Sequence, residues 1–195
     1  IPNGIDPNGQ QTNYETLVPW IGILPNFKGL PSVIGKVAPF LTQSGWRFVI
    51  VGDGRYKTLL AAQYPDVGFA SYRDPVPDYE KASILLVSSL GWENFPTVIL
   101  EAMRHSVAVI GRDLGGISEL ISHNRNGLLY RDQGDLIRHL SHLISNPKTI
   151  RSMGDCGRRD FLSNYQLETC LNRYLELYHS QLNYLSSAPA AVSSS

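Results

Sequence analysis

The sequence predicts an α/β protein built on a doubly wound parallel sheet, with a helical extension at its C-terminal end. Three observations carry that expectation. Short runs of Val, Ile and Leu alternate with segments of helical spacing through the first two thirds of the chain. Most of these runs are continuously apolar rather than alternating, as expected of strands covered on both faces. Beyond residue 133 the strand-like runs stop, and 133–185 reads as largely helical.

Taken in order, LVPWIGIL (17–24) reads as a buried strand in spite of Pro19. LPSVIGKVAPFLTQ (30–43) has helical spacing with Pro31 in the first turn, and Pro39 predicts a kink or an early end. RFVIVGDG (47–54) is the clearest strand, a Val/Ile run that ends in glycines. A short helix, RYKTLLAAQY, leads to a strand over 67–72, and a helical turn, VPDYEKA, leads to the strand ILLVSS at 84–89. A helix over roughly 96–105, a strand at 107–111, a glycine turn entering a helix in GGISELISH and a last strand at 126–130 follow. In the final helical stretch Leu171, Tyr174, Leu175, Tyr178 and Leu182 fall on one stripe.

Composition narrows the function classes. The chain has 195 residues, 43% hydrophobic and 17% charged, which suits one globular domain with a full core. Lys+Arg and Asp+Glu both number 17, and this balance argues against a nucleic-acid binder. Cys156 and Cys170 stand in no metal-binding spacing and suggest buried thiols in a reducing, cytoplasmic setting, with a disulfide the lesser reading. No apolar run reaches the ~20 residues of a membrane span. The opening IPNGIDPNGQ reads as a turn cut from a longer chain, and 186–195 as a flexible tail.

Ligands of a parallel sheet of this kind sit outside the carboxyl ends of its strands, so the segments that follow strands deserve most weight. VGDG (51–54) begins like a dinucleotide fingerprint, but Lys57 stands at the third glycine position, and a tight strand-to-helix turn explains the glycines better. His139 and His142 lack a third ligand at suitable spacing, His105 and His123 are isolated, and no metal site is expected. WENFPT is more informative. Pro96 suits a helix start, backbone N–H groups at 95–98 would then be open to an anion, and Glu93 and Glu101 stand in the loop and about one turn into the helix. On spacing alone the two carboxylates read equally well as acceptors for sugar hydroxyls or as a solvated loop acid and a helix-end acid. Gly115 and Gly116 either let backbone approach a ligand or cap a helix, and Lys28 after the first strand supplies one charge over the same edge.

With these residues quoted, a family resemblance follows. ENFPTVILEAM and VAVIGRDLGGISELISHNRNGLLY, together with IPNGID, KGL, IVGDG, YRDPVPDYEKAS and the terminal YLELYH, resemble the C-terminal donor-binding domain of retaining GT-B glycosyltransferases with the E-x(7)-E motif, the glycogen-synthase and mannosyltransferase-like group. The resemblance covers the chain to about residue 185 and implies one Rossmann-like half of a GT-B fold, with terminal helices over 147–185. It implies a nucleotide-diphosphate sugar as donor, retention of configuration, no metal or other cofactor, and an acceptor (glycan, lipid or small molecule) held by an N-terminal domain outside this chain. Any membrane association would come through that other part, at the inner face of a membrane.

By position, the resemblance assigns Glu101 to the ribose, Glu93 to the donor sugar and Lys28 to the diphosphate. Asn94, Phe95, Pro96, Thr97 and Gly22 would stand around the diphosphate, and main chain near Arg73 would meet the base. There are departures from the family pattern. Ile23 stands where Arg is usual, and Ser71, Ser106 and Ala108 stand where Gly, Gly and Pro are usual. Ile23 motivates an alternative, a binding domain that has lost catalysis. A sugar-nucleotide epimerase or hydrolase of the same fold is a further one.

Overall fold

A computed structural model of the chain describes residues 15–24, 28–91 and 93–187; the IPNGID segment and residues 188–195 lie outside the described residues. The described residues form six strands and eight helices. The strands are β1 (Leu17–Ile21), β2 (Arg47–Val51), β3 (Gly68–Ala70), β4 (Ile84–Val87), β5 (Ala108–Arg112) and β6 (Gly127–Tyr130). The helices are α1 (Leu30–Gln43), α2 (Lys57–Gln63), α3 (Val76–Lys81), α4 (Thr97–Arg104), α5 (Gly116–Leu120), α6 (Gln133–Ser145), α7 (Pro147–Asn164) and α8 (Leu167–Ser187). The predicted alternation is present, and every strand pair is parallel.

The strands pair as β1-β2-β3 and β4-β5-β6, two three-stranded halves that meet along β1 and β4. At that join Ser83 N donates to Leu17 O at 3.0 Å. Even-numbered residues of this strand bond toward β2, as Gly22 N does to Val51 O at 3.0 Å, so the nitrogens of 17, 19 and 21 face β4. Proline has no N–H, and Pro19 therefore removes a donor from the middle of this seam. The ladder is regular on either side of the seam and interrupted along it.

The continuous apolar runs are explained by burial on two faces. In β4, Ile84 and Leu86 pack into one core cluster with α1 and α6, whereas Leu85 and Val87 pack into a second with α3, α4 and α5. Ile84, Leu85 and Leu86 are all inaccessible to solvent or nearly so. Helices thus cover both sides of the sheet, and the chain runs to one side after β1 and to the other after β4.

Pro39 does not end α1, which continues to Gln43, contrary to the early end that the sequence allowed. Pro39 lies on the solvent-facing side, where the carbonyl it leaves unpaired can bond water. Val37, Ala38 and Leu41 on the other side are buried and hold the helix together.

The glycines of VGDG serve the turn rather than a cofactor. Gly52 has φ 155°, and a Cβ there would stand 1.8 Å from Gly22 O, so the loops after β1 and β2 lie backbone against backbone. Lys57, at the position of the missing third glycine, donates to Asp53 Oδ1 and to Ser71 Oγ, each at 2.8 Å. Those bonds tie the ends of β2 and β3 together. The Lys57 hydrogen bond, then that from Tyr72 N, holds the Asp53 carboxyl below its ordinary range.

The C-terminal stripe is present but not covered. Leu171, Tyr174, Leu175, Tyr178 and Leu182 are all more than half or about half exposed on α8.

Candidate functional site

A crevice of about 270 Å³ opens where β1 and β4 diverge, on the carboxyl edge of the sheet. This is the switch in strand order, the place where parallel sheets bind ligands. Its floor is a chain of hydrogen bonds across the seam. Trp20 Nε1 donates to Ser88 Oγ at 2.9 Å, and Ser88 Oγ donates to Lys28 O, also at 2.9 Å. Gly29 makes that approach feasible: its φ is 73°, and a Cβ would lie 1.9 Å from Ser88 O.

Above the floor the Lys28 ammonium forms an ion pair with Glu93 Oε1, and Ser89 Oγ donates to the same oxygen at 2.6 Å. Both side chains are largely shielded, with 26% and 15% of their surfaces exposed. The loop that carries Glu93 is held from behind by α5. Gly116 N donates to Glu93 O at 2.7 Å, and a Cβ on Gly116 would lie 2.0 Å from Asn94 O. The close approach expected of the Gly115–Gly116 turn is therefore to the glutamate loop. Gly115, at φ 52°, caps α5.

Thr97 begins α4, with Pro96 as the residue before it rather than in its first turn. No side chain caps this helix end, and its first amides carry the partial positive charge that attracts anions. Phe95, Pro96, Thr97 and Val98 line the crevice together with Gly22, Ile23, Lys28 and Glu93. Phe95 is half exposed and packs against Tyr165, with ring centroids 6.0 Å apart. Ile23 is 58% exposed at the mouth.

Three residues expected at the site stand outside this lining. Glu101 lies one turn beyond Thr97 on α4, where Tyr79 Oη donates to its Oε2 at 2.9 Å. Asn94 is exposed and meets α5 through its carbonyl. Arg73 follows β3 on the same edge, its guanidinium paired with Asp78 at 2.7 Å, an interaction that raises its affinity for its proton. Reading the sequence missed Trp20, Ser88, Ser89 and Tyr79. The SS pair at a strand end was the one signal available for the serines.

Among the described residues no group of three or more His, Cys, Asp and Glu side chains could hold a metal ion, and no helix is long and apolar enough to cross a membrane.

Residues 15–146 match the model of a family described as glycosyl transferases group 1. The chain belongs to that family. Among similar proteins, the trehalose synthase of Pyrococcus horikoshii is 28% identical over 102 residues, covering 52% of this chain and 25% of that protein. The exopolysaccharide phosphotransferase SCO2592 of Streptomyces coelicolor is 28% identical over 166 residues, 80% of this chain and 17% of that one. The chain thus spans about a quarter of the length of the trehalose synthases it matches. In fold it is similar to Anabaena Alr3699/HepE solved with UDP, with a TM-score of 0.77 at 21% identity over 87% of this chain and 50% of that one. It is also similar to S. aureus TarM, with a TM-score of 0.76 at 22% identity, 85% of this chain and 35% of that. The α/β architecture is that of one half of a GT-B glycosyltransferase, followed by the C-terminal helices.

Proposed function

We propose that this chain is the donor-binding half of a retaining, metal-independent glycosyltransferase with the E-x(7)-E motif, and that the crevice between β1 and β4 takes a nucleotide-diphosphate sugar. One observation carries the reading: the Lys28–Glu93 pair stands at the divergence of β1 and β4, directly beside the uncapped start of α4. A diphosphate entering there meets an ammonium and a helix N-terminus, the two elements that stabilise negative charge on a leaving group without a metal. Lys28 then shares its charge between Glu93 and the diphosphate. Glu93, held by Lys28 and Ser89, is an acceptor for donor-sugar hydroxyls rather than a free base. Glu101 is the acceptor for the ribose, and the base lies toward the segment after β3 that contains Arg73. A solved relative of the same fold is described in complex with UDP-glucose, which supports a nucleotide sugar as the ligand. Acceptor binding and turnover require a further domain, and the reaction belongs to the cytoplasm.

The exposed Ile23 at the crevice mouth favours a second reading, a donor-binding module without transfer activity. The usual Arg would add a second cation to the diphosphate, and a charged hydrogen bond contributes about 1.5–3 kcal/mol.

Thermal denaturation with UDP-, GDP- and ADP-sugars tests the donor reading. One of them at millimolar concentration should raise the melting temperature, with or without EDTA, and Lys28→Ala should reduce the shift. No shift with any of the three sinks the proposal. Sugar transfer by the protein joined to an acceptor domain separates the two readings, because the second predicts binding without transfer.

A further inference from the structure

Against Glu101 lies a residue of the YRDPVPDYEKAS stretch to which the sequence assigned no role. Tyr79, on α3, is completely buried, and its phenol donates to the Glu101 carboxylate, at 2.9 Å to Oε2. The ring cannot swing away. His105 stacks on it with centroids 5.7 Å apart and planes 14° from parallel, and Ile99, Ala102 and Met103 of α4 share its core cluster. The hydroxyl also stands 3.3 Å from Val98 O. Its single proton goes preferentially to the shorter, charged contact. Burial, and then the adjacent Glu101 charge, push the phenol's pKa far above its ordinary value, so it remains a donor at any physiological pH.

We propose that Tyr79 is the positioning residue for Glu101, fixing one carboxylate oxygen so that the other serves the vicinal diol of the nucleotide ribose. The inference rests on the donor reading above. A glutamate has three rotatable bonds, and one left free on a helix surface must be ordered by each ligand it binds, at a cost in affinity. A phenol locked in the core removes that cost beforehand. Oε2 is committed to Tyr79, whereas Oε1 takes no part in that bond and keeps its acceptor capacity. The arrangement predicts discrimination for the diol itself. It adds nothing to recognition of the diphosphate, which Lys28 and α4 provide.

The test compares UDP, GDP and ADP with their 2′,3′-dideoxy counterparts by calorimetry on wild type, Tyr79→Phe, Glu101→Gln and the double variant. Wild type should prefer whichever ribonucleotide binds over its dideoxy form. Tyr79→Phe should weaken that ribonucleotide several-fold, up to about tenfold, the scale of ordering one glutamate side chain, and leave the dideoxy form unchanged. Its effect should largely vanish in the Glu101→Gln background. A fall in melting temperature with an intact preference for the diol shows that Tyr79 is only a core residue and overturns the proposal, as does equal weakening of both ligand forms. If Glu101→Gln alone abolishes the preference while Tyr79→Phe does not, Glu101 orients itself and the positioning role is refuted. Failure of all three ribonucleotides to bind wild type is a different result, which removes the donor reading together with this one.

Discussion

Individual residues in this molecule are placed by partners far away in sequence. Lys28 and Glu93 are 65 positions apart, and nothing in either local segment announces that they pair. Each was recognisable as a residue at a strand end, because the strands themselves were legible. The ion pair, and the serines that anchor it, come from the order of strands in the sheet. Ser106 shows the converse, a local constraint that survives an unusual residue. It stands where the resemblance implies glycine, and it adopts φ 57°, a conformation that costs a non-glycine residue roughly 1–2 kcal/mol. His105 yields a prediction at this scale. Burial first, then the charges of Arg104 and Arg158, against opposing effects of Glu80 and Asp74, lower its pKa below the usual 6.5. The unfolded chain therefore takes up a proton at a pH where the folded one still resists it. Stability should be complete above about pH 6.5 and decline as the pH falls toward the folded-state value. His105→Gln should remove this slope, as read from urea midpoints between pH 5 and 8. An unchanged slope in the variant would show that His105 titrates as freely in the fold as in the unfolded chain.

The elements were legible wherever periodicity reports burial, and less so where one residue competes with its surroundings. Pro39 reads as a helix breaker because the local rule is strong. Flanking apolar residues on the inner face override it, and only the fold shows that Pro39 faces water. Helix α7 illustrates a constraint invisible to periodicity. Gly154 is buried against the turn after α4, and a Cβ there would stand 1.9 Å from Ser106 O, a backbone atom with little room to move. One turn along, a Cβ on Gly157 would meet Met103 Cγ at 3.2 Å, a flexible side chain that can give way. Gly154→Ala should therefore cost about 3 kcal/mol, with the ~1 kcal/mol gained in helix propensity far outweighed. Gly157→Ala should be close to neutral. Urea denaturation of both variants checks the contrast. A midpoint for Gly154→Ala at or above wild type would mean that α7 does not lie so close to α4.

At the scale of the whole molecule, the alternation of strands and helices was plain in the sequence, but the order of the strands was not. Parallel strands carry the same apolar signature wherever they lie in a sheet, so the seam between β1 and β4 could not be located from composition. Pro19 was its one trace, read simply as an oddity within a strand. The seam matters because the crevice straddles it: Gly22 and Ile23 come from one half of the sheet, and Ser89, Glu93 and Thr97 from the other. A ligand seated there binds only when both halves are in place, and so couples them. At a hundred times its dissociation constant, such a ligand should stabilise the native state by about 2.7 kcal/mol. Native-state hydrogen exchange can show where that energy appears. Amides of β2 and of β5, which belong to different halves, should gain equal protection on addition of the nucleotide sugar that raises the melting temperature. Protection confined to β4, β5 and β6 would mean that the ligand contacts only the glutamate loop and α4, and that Lys28 and the end of β1 do not complete the site.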